Sequence, residues 1–266
     1  MYVTEPNWSP PQGQALQLAY TDLGVGSCVV LIHGHPFNRS MWRPQLAPLV
    51  AGGFRVLAPD LRGYGDSPCG DSVVTMGELA DDVVKLASAV DAGELVVIGL
   101  SMGALVAIEL ARISPVVRAL GLVAASCRPV TDIERRSRLE LADLCERRGI
   151  EPAVDQMHAL FDADYPSELK AEVAAMMSAS DPRGAAAALR GRAMRPDYRP
   201  ILNQLTIPTW VCAGAEDPWA TPDITAEIVE NLVDPREAVM AGVRHLPNLE
   251  DPGEFNRLLL DFLCNI

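Results

Sequence analysis

Short apolar runs alternate with longer helix-like segments along most of the chain, and this alternation limits the fold more than any other feature of the sequence. The runs are rich in Val, Ile and Leu, which is typical of strands covered on both faces in a parallel sheet. They span residues 28–33, 55–59, 95–100, 119–125, 209–213 and 237–240. Strands and helices that alternate in this way predict an α/β fold with a mostly parallel central sheet.

Two of the intervening segments carry clear helix starts. Thr75 is followed three residues later by Glu78, a capping-box pattern that opens a segment with apolar residues at helical spacing. Asp251 and Pro252 open the last segment, in which apolar residues again recur at helical spacing. We therefore predict one helix directly after Thr75 and a final helix directly after Asp251.

One long stretch, 127–200, interrupts the alternation. It contains no convincing strand, consists of helix-favouring sequence and holds more than half of the basic residues of an otherwise acidic chain. We interpret 1–126 and 201–266 as the two parts of the α/β core and 127–200 as an inserted helical cap. Within the cap, Arg190 and Arg192 either form ion pairs at the surface or meet a carboxylate of a substrate.

The charge balance excludes several classes of partner. With 22 basic and 35 acidic residues, the net charge of −13 repels nucleic acid and anionic membrane surfaces. No apolar run is long enough to span a membrane, and the first residues lack a signal-peptide pattern, so we expect a cytoplasmic protein. The six cysteines are scattered without a C-x-x-C pair, so the sequence predicts neither a metal site nor disulfides.

Residues 99–103 (GLSMG) match the pattern G-x-S-x-G in the context of a strand, a turn and a helix. Glycines at both ends leave room for the sharp turn that exposes a serine hydroxyl. The helix that follows supplies free N–H groups and a positive potential. These features predict Ser101 as a nucleophile rather than as an ordinary turn residue.

A serine nucleophile requires a base, and the chain has four histidines. His245 lies between the last predicted strand and the last helix, where it can reach the carboxyl edge of the sheet. His33 and His35 follow an early strand and are interpreted as turn or pocket residues, and His158 lies in the predicted cap. We therefore predict His245 as the base for Ser101.

The base in turn requires a carboxylate that orients it. Asp217 directly follows the predicted strand 209–213, and its neighbours Glu216 and Asp223 are the alternatives, interpreted as residues of a solvated loop. The resulting chain order, Ser101 then Asp217 then His245, is the order of α/β-hydrolase triads and differs from the orders of the chymotrypsin and subtilisin folds.

Four sequence blocks resemble the α/β-hydrolase superfamily over nearly the whole chain. They are 31–42 (LIHGHPFNRSMW), 58–67 (APDLRGYGDS), the serine turn 99–103, and the acid and base loops at 214–222 and 245–255. Within the superfamily, the chain is similar to esterases and lactonases of the 3-oxoadipate enol-lactonase and cofactor-free haloperoxidase type. The resemblance implies a parallel sheet flanked by helices, a helical cap, and an oxyanion hole formed by the backbone N–H groups of Phe37 and Met102.

The resemblance also implies the reaction, which is hydrolysis of an ester or lactone bond in a small molecule through an acyl-enzyme, without metal or organic cofactor. We predict a substrate pocket lined by His35, Trp42, Trp219 and Leu246. For each tryptophan, packing in the core is an equal alternative. Two alternatives remain: a hydrolase that cleaves a C–C bond next to a ketone with the same triad, and a catalytically silent ligand-binding protein.

Overall fold

The computed structural model describes residues 18–157, 160 and 165–266. The strands of this part form one seven-stranded sheet in the order β1-β3-β2-β4-β5-β6-β7, in which β1 is antiparallel to β3 and the other neighbours are parallel. The strands are β1 Tyr20–Leu23, β2 Cys28–Ile32, β3 Arg55–Pro59, β4 Leu95–Leu100, β5 Val117–Val123, β6 Thr209–Gly214 and β7 Pro235–Met240.

All six predicted strands are present, and two expectations about the sheet were wrong. The sequence analysis missed β1, a four-residue edge strand that pairs Tyr20 with Pro59 on β3. The strand β7 is the opposite edge and is exposed along much of its length, so it is not covered on both faces. By contrast, β2, β4 and β6 lie inside the sheet and every residue in them is buried.

Eleven α-helices connect the strands in the described part of the chain. The predicted capping box is present, since the Thr75 side chain accepts from Glu78 N–H and the Glu78 side chain accepts from Thr75 N–H. The helices are α1 Arg43–Ala51, α2 Met76–Ala89, α3 Met102–Ile113, α4 Asp132–Arg148, α5 Glu151–Met157, α6 Ser167–Ser178, α7 Pro182–Arg192, α8 Arg199–Leu202, α9 Pro222–Glu230, α10 Pro247–Glu250 and α11 Pro252–Cys264. A 3-10 helix, Arg39–Trp42, precedes α1.

The two faces of the sheet each carry a hydrophobic core. Alternate residues of β2 divide between them, with Val30 and Ile32 packed towards α2 and α3, and Val29 and Leu31 in the cluster that includes residues of α1 and α11. Burial on both faces explains why the central strands are continuously apolar. The sheet thereby holds the loops at its carboxyl edge on a rigid base.

Helices α4 to α8 lie between β5 and β6, and α4 to α7 fall within the stretch 127–200 that the sequence analysis interpreted as an inserted cap, whereas α8 crosses its end. The helix α7 joins this stretch to the core through main-chain contacts. A Cβ atom at Gly191 would lie 1.8 Å from the Val74 carbonyl oxygen, and one at Gly184 would lie 1.9 Å from that of Gly63. In addition, Val74 N–H donates to Ala187 O at 3.1 Å. Glycine at these positions permits helix and loop backbones to touch.

No helix in the described residues combines the length and the apolar character needed to cross a membrane.

Candidate active site

Ser101 occupies the tight turn between β4 and α3, at the carboxyl edge of the sheet. Its backbone has φ 55° and ψ −110°, a conformation that L-residues rarely adopt, and its N–H donates to Val123 O at 2.8 Å. The two flanking glycines are required because neither position has room for a Cβ atom. A Cβ atom at Gly99 would lie 2.2 Å from Gly103 O, and one at Gly103 would lie 2.3 Å from Ile32 O.

The two predicted oxyanion donors differ in their surroundings. Met102 is the first residue of α3, so its N–H has no acceptor within the helix. Phe37 N–H, in contrast, donates to Gly34 O at 3.1 Å in a turn. Pro36 has no N–H, and among the described residues His35 N–H has no recorded acceptor. Phe37 N–H is therefore engaged within its turn, whereas His35 N–H is available as a donor. The identity of the two oxyanion donors stays a prediction.

His245 and Asp217 lie in direct contact below the cavity. Asp217 Oδ2 is 2.7 Å from His245 Nδ1, and both side chains are buried. Because an ionised carboxylate only accepts hydrogen bonds, Nδ1 is the ring nitrogen that donates to Asp217. The pair thus leaves Nε2 as the nitrogen that is available for proton transfer.

Asp217 is held by its own loop. Its Oδ1 accepts from Trp219 N–H at 2.8 Å and from Ala220 N–H at 3.0 Å. Burial by itself would raise the pKa of Asp217, but the hydrogen bond and charge of His245 and the two N–H donors lower it overall. The carboxylate therefore stays ionised. The alternatives, Glu216 and Asp223, are exposed.

Glu250 is a supporting residue that the sequence analysis missed. Its carboxylate accepts from Arg244 N–H at 2.8 Å and from Leu246 N–H at 2.7 Å, and so fixes the backbone on both sides of His245. Burial raises the pKa of Glu250, although both N–H donors oppose that rise. An acidic residue shortly after a predicted catalytic histidine is a weak sequence signal, because only the fold shows that its carboxylate accepts from the backbone on both sides of the histidine.

The remaining histidines have other environments. His33 is fully buried, with Nδ1 donating to Gly34 O at 2.8 Å and Nε2 accepting from Leu61 N–H at 2.9 Å. His35 Nδ1 lies 2.7 Å from the Tyr64 hydroxyl, and burial, with the charges of Arg192 and His33, lowers the pKa of His35 well below its usual value. The fourth, His158, lies outside the described residues.

A cavity of about 490 Å³ opens at the serine turn. Of the four predicted pocket residues, Trp219 lines it, with its ring centroid 4.9 Å from that of His245. Trp42 and Leu246 are instead buried in the core, where Trp42 packs against Phe255, and neither lines the cavity. His35 is also absent from the lining. The lining consists of Ser101, Met102, Leu105, Ala124, Ala125, Ser126, Arg128, Pro129, Thr131, Glu134, Arg138, Arg192, Arg195, Pro218, Trp219, Ala220, Ile224 and His245.

The two arginines of α7 that the sequence analysis paired have different environments. Arg190 donates to Glu146 at 2.6 and 2.8 Å and to Asp143 at 2.9 Å, away from the cavity. Arg192 lines the cavity. Only the second is positioned to meet a bound molecule. Within the described residues, no group of three or more His, Cys, Asp or Glu side chains is arranged to hold a metal ion.

The family model described as the alpha/beta hydrolase family matches residues 29–258. The chain belongs to the alpha/beta hydrolase family. The family predicted from the sequence is thereby confirmed, together with the fold.

Individual relatives extend this result. The chain is 31% identical to RutD of Variovorax paradoxus, a proposed carbamate hydrolase, over 91% of this chain and 93% of that protein. It is 26% identical to 3-oxoadipate enol-lactonase 1 of Acinetobacter baylyi, over 96% and 95% of the two chains. A thermophilic esterase from Thermogutta terrifontis, solved with malate bound, superposes with a TM-score of 0.90 at 31% identity, covering 93% of each chain.

Proposed function

We propose that this member of the family is a serine hydrolase that cleaves an ester or lactone bond of a small molecule. One observation carries the proposal: Ser101 and His245 line the same cavity, and His245 Nδ1 is held 2.7 Å from the buried carboxylate of Asp217. A strained serine, an imidazole and an orienting carboxylate are the parts of nucleophilic acyl transfer. The names of the esterase and enol-lactonase relatives support this bond class.

In the proposed reaction, Ser101 Oγ attacks the substrate carbonyl carbon while His245 Nε2 accepts the hydroxyl proton. Asp217 keeps the imidazole in the required tautomer and stabilises the imidazolium that forms. His245 then returns the proton to the leaving alkoxide, which departs as the alcohol and leaves an acyl-enzyme. Water attacks the acyl-enzyme with His245 again as the base, and this step releases the acid and restores Ser101.

The negative charge of each tetrahedral intermediate falls on the former carbonyl oxygen, which requires fixed donors. We assign them to Met102 N–H, at the start of α3, and His35 N–H, since Phe37 N–H already donates to Gly34 O. The positive end of α3 adds to the stabilisation. Residues 127–200 act in this proposal as the cap, because cavity residues from Arg128 to Arg195 belong to that stretch.

The test is hydrolysis of 4-nitrophenyl acetate, 4-nitrophenyl butyrate and a panel of small lactones by wild type and Ser101→Ala. We expect the variant to lose at least about 10³ of the wild-type rate. Ser126→Ala is the matched control, since Ser126 lines the same cavity without belonging to the triad. A fluorophosphonate probe should label wild type and not Ser101→Ala.

The outcomes separate the alternatives. A wild type that takes the label but hydrolyses no ester or lactone would show a live nucleophile and contradict the bond class, which favours the hydrolase of C–C bonds. A wild type that neither takes the label nor turns over any substrate would contradict the hydrolase and favour a ligand-binding protein. Equal rates for wild type and Ser101→Ala would contradict the triad.

A further inference from the structure

The cavity wall carries an excess of positive charge. Among the described residues that line it, four are arginines and one is a carboxylate, Glu134. Arg128 has a separate partner, because its guanidinium donates to Glu227. The other three belong to the helical stretch between β5 and β6: Arg138 lies on α4, Arg192 ends α7 and Arg195 follows it. We refer to Arg138, Arg192 and Arg195 as the arginine cluster.

Glu134 does not neutralise the cluster. One of its oxygens accepts from both Thr131 N–H and the Thr131 hydroxyl at 2.9 Å, in the capping box of α4. The other accepts from Arg138 Nη2 at 3.3 Å, a long contact. Burial works against ionisation of Glu134, but these bonds and the charges of Arg138 and Arg195 lower its pKa overall. Among the described residues, Arg138 is the one member of the cluster within ion-pair distance of Glu134, and that carboxylate is already engaged.

Each member of the cluster also has a nitrogen that the protein leaves unsatisfied. Arg138 Nη1, Arg192 Nε and Arg195 Nε are buried without a hydrogen-bond partner in the described structure. Buried N–H groups normally have partners, and unpaired charges are costly. Burial and the charges of Arg138 and Arg195 lower the pKa of Arg192 to about 9, so it is still a cation at neutral pH. Because the three side chains line the cavity, an anion that enters it offsets their charge.

We propose that the arginine cluster binds a carboxylate of the substrate, so that the preferred substrates are esters or lactones that carry a second, free carboxylate. This inference rests on the proposed hydrolase function, since Ser101 and the cluster line one cavity. Planar guanidinium groups match a carboxylate through paired N–H donors, and both partners lose their unpaired charge together. The apolar residues between them, such as Leu105 and Ile224, then contact the carbon chain.

The chain supplies a matched control on the same helix. Arg190 lies two residues before Arg192 but donates to Glu146 and Asp143 and does not line the cavity. A substitution at Arg190 removes the same charge from the same helix without touching the proposed carboxylate site. Any effect of total charge should therefore appear in both variants, whereas an effect on recognition should appear only at Arg192.

The experiment compares two substrates that differ in one charge. They are mono-4-nitrophenyl adipate, which has a free carboxylate, and its methyl ester, 4-nitrophenyl methyl adipate, which is neutral. For wild type we expect kcat/KM to be at least about tenfold higher for the charged ester. In Arg192→Gln this value should fall at least about tenfold, with less than a threefold change for the neutral ester, because a charge-assisted hydrogen bond is lost. Arg190→Gln should match wild type on both.

Inhibition of the wild type provides a test that needs no variant. Adipate should compete with the neutral ester, with an inhibition constant that rises with ionic strength, whereas dimethyl adipate and inorganic phosphate at equal concentration should inhibit at least tenfold less. Stronger inhibition by phosphate would contradict the choice of a carboxylate. Equal losses on both esters in Arg192→Gln, or no preference of wild type for the charged ester, would overturn the proposal.

Failure of the hydrolase proposal is distinguishable from failure of this one. If neither ester is hydrolysed by any variant, titration calorimetry of adipate into wild type, Arg192→Gln and Arg190→Gln still measures the site. Binding that Arg192→Gln weakens at least tenfold and Arg190→Gln preserves would support the carboxylate site on a protein that is not an esterase. Absence of adipate binding to the wild type would overturn it.

Discussion

On the sheet side of the cavity the carboxylates of Asp217 and Glu250 each accept hydrogen bonds with both oxygens, whereas on the helical side three arginines line the cavity with one carboxylate, Glu134. Asp217 uses both oxygens, one for His245 and one for two backbone N–H groups, and Glu250 fixes the backbone around His245. Across the cavity, Arg138, Arg192 and Arg195 each retain a buried nitrogen without a partner. The protein therefore supplies hydrogen-bond partners for the charged groups beside His245, but it leaves part of the arginine cluster without them.

This difference separates chemistry from recognition. A reaction that transfers protons between fixed atoms needs groups already in place, and a network satisfied by the protein is rigid before the substrate arrives. A binding site gains affinity from groups that are paired only in the complex. In our proposals, the fold completes the triad and leaves the arginine cluster for a ligand to complete.

The largest effect should follow from substitution of Asp217, whose carboxylate is paired with His245. In Asp217→Asn an amide replaces the carboxylate, the proton of His245 moves to Nε2, and the base is lost. We expect kcat for 4-nitrophenyl butyrate to fall about 10⁴-fold. Glu216→Gln, at the exposed neighbouring position, should keep its rate within twofold. A large loss in Glu216→Gln with little change in Asp217→Asn would reassign the acid.

A comparison of wild type with Asp217→Asn should also show a pH dependence of stability. Because the pKa of Asp217 is lowered in the folded state, its ionised form stabilises the fold. This contribution is complete above the unfolded-state pKa of about 3.9 and is lost as the pH falls through the folded-state pKa. Urea unfolding should show a constant advantage of wild type over Asp217→Asn between pH 7 and about 5 and a shrinking one below about 4.

A smaller effect is expected at Glu250, which acts on His245 through the backbone. In Glu250→Gln one of the two N–H groups faces an amide NH₂, so the loop shifts and the imidazole is misplaced. We expect kcat to fall about tenfold with KM nearly unchanged, because ground-state binding is not touched. Glu254→Gln, an exposed carboxylate paired with Arg257, is the control and should leave both constants unchanged. A rise in KM alone would argue against a positioning role.

The smallest effect is expected for the stability of variants in the arginine cluster. Removal of an unpaired buried charge in Arg192→Gln should raise the free energy of unfolding by about 1 kcal/mol, or Tm by about 2–4 °C. Arg190→Gln, which removes ion pairs with Asp143 and Glu146, should lower the stability by less than about 1 kcal/mol. Thermal unfolding of both variants without ligand checks this. Equal destabilisation would mean that Arg192 is paired like Arg190.

Local sequence determines the parts of this molecule that were predicted correctly. The strand β4, the turn at Ser101 and the helix α3 follow from one continuous stretch, in which an apolar run, two glycines and a helical segment specify one another. The strand β1 was missed because four partly exposed residues, Tyr20–Leu23, carry little pattern and depend on pairing with β3, more than thirty residues away.

The cavity wall was harder to predict because side-chain direction depends on packing between distant segments. Trp42 follows a loop near the site, yet its ring lies in the core against Phe255. Arg190 and Arg192 are separated by one residue, and only the fold shows that the first faces Asp143 and Glu146 while the second faces the cavity. Neither periodicity nor motif carries this information.

The contact between α7 and the loop at Val74 has a consequence for substrate length. Gly191 touches the Val74 carbonyl main chain to main chain, and Arg192 is the next residue. The backbone from which the Arg192 side chain extends is therefore held against the core by two main chains in contact. In an enzyme that binds a carboxylate at one end of its cavity and attacks a carbonyl at the other, such a contact would select substrates by the number of carbons between the two groups.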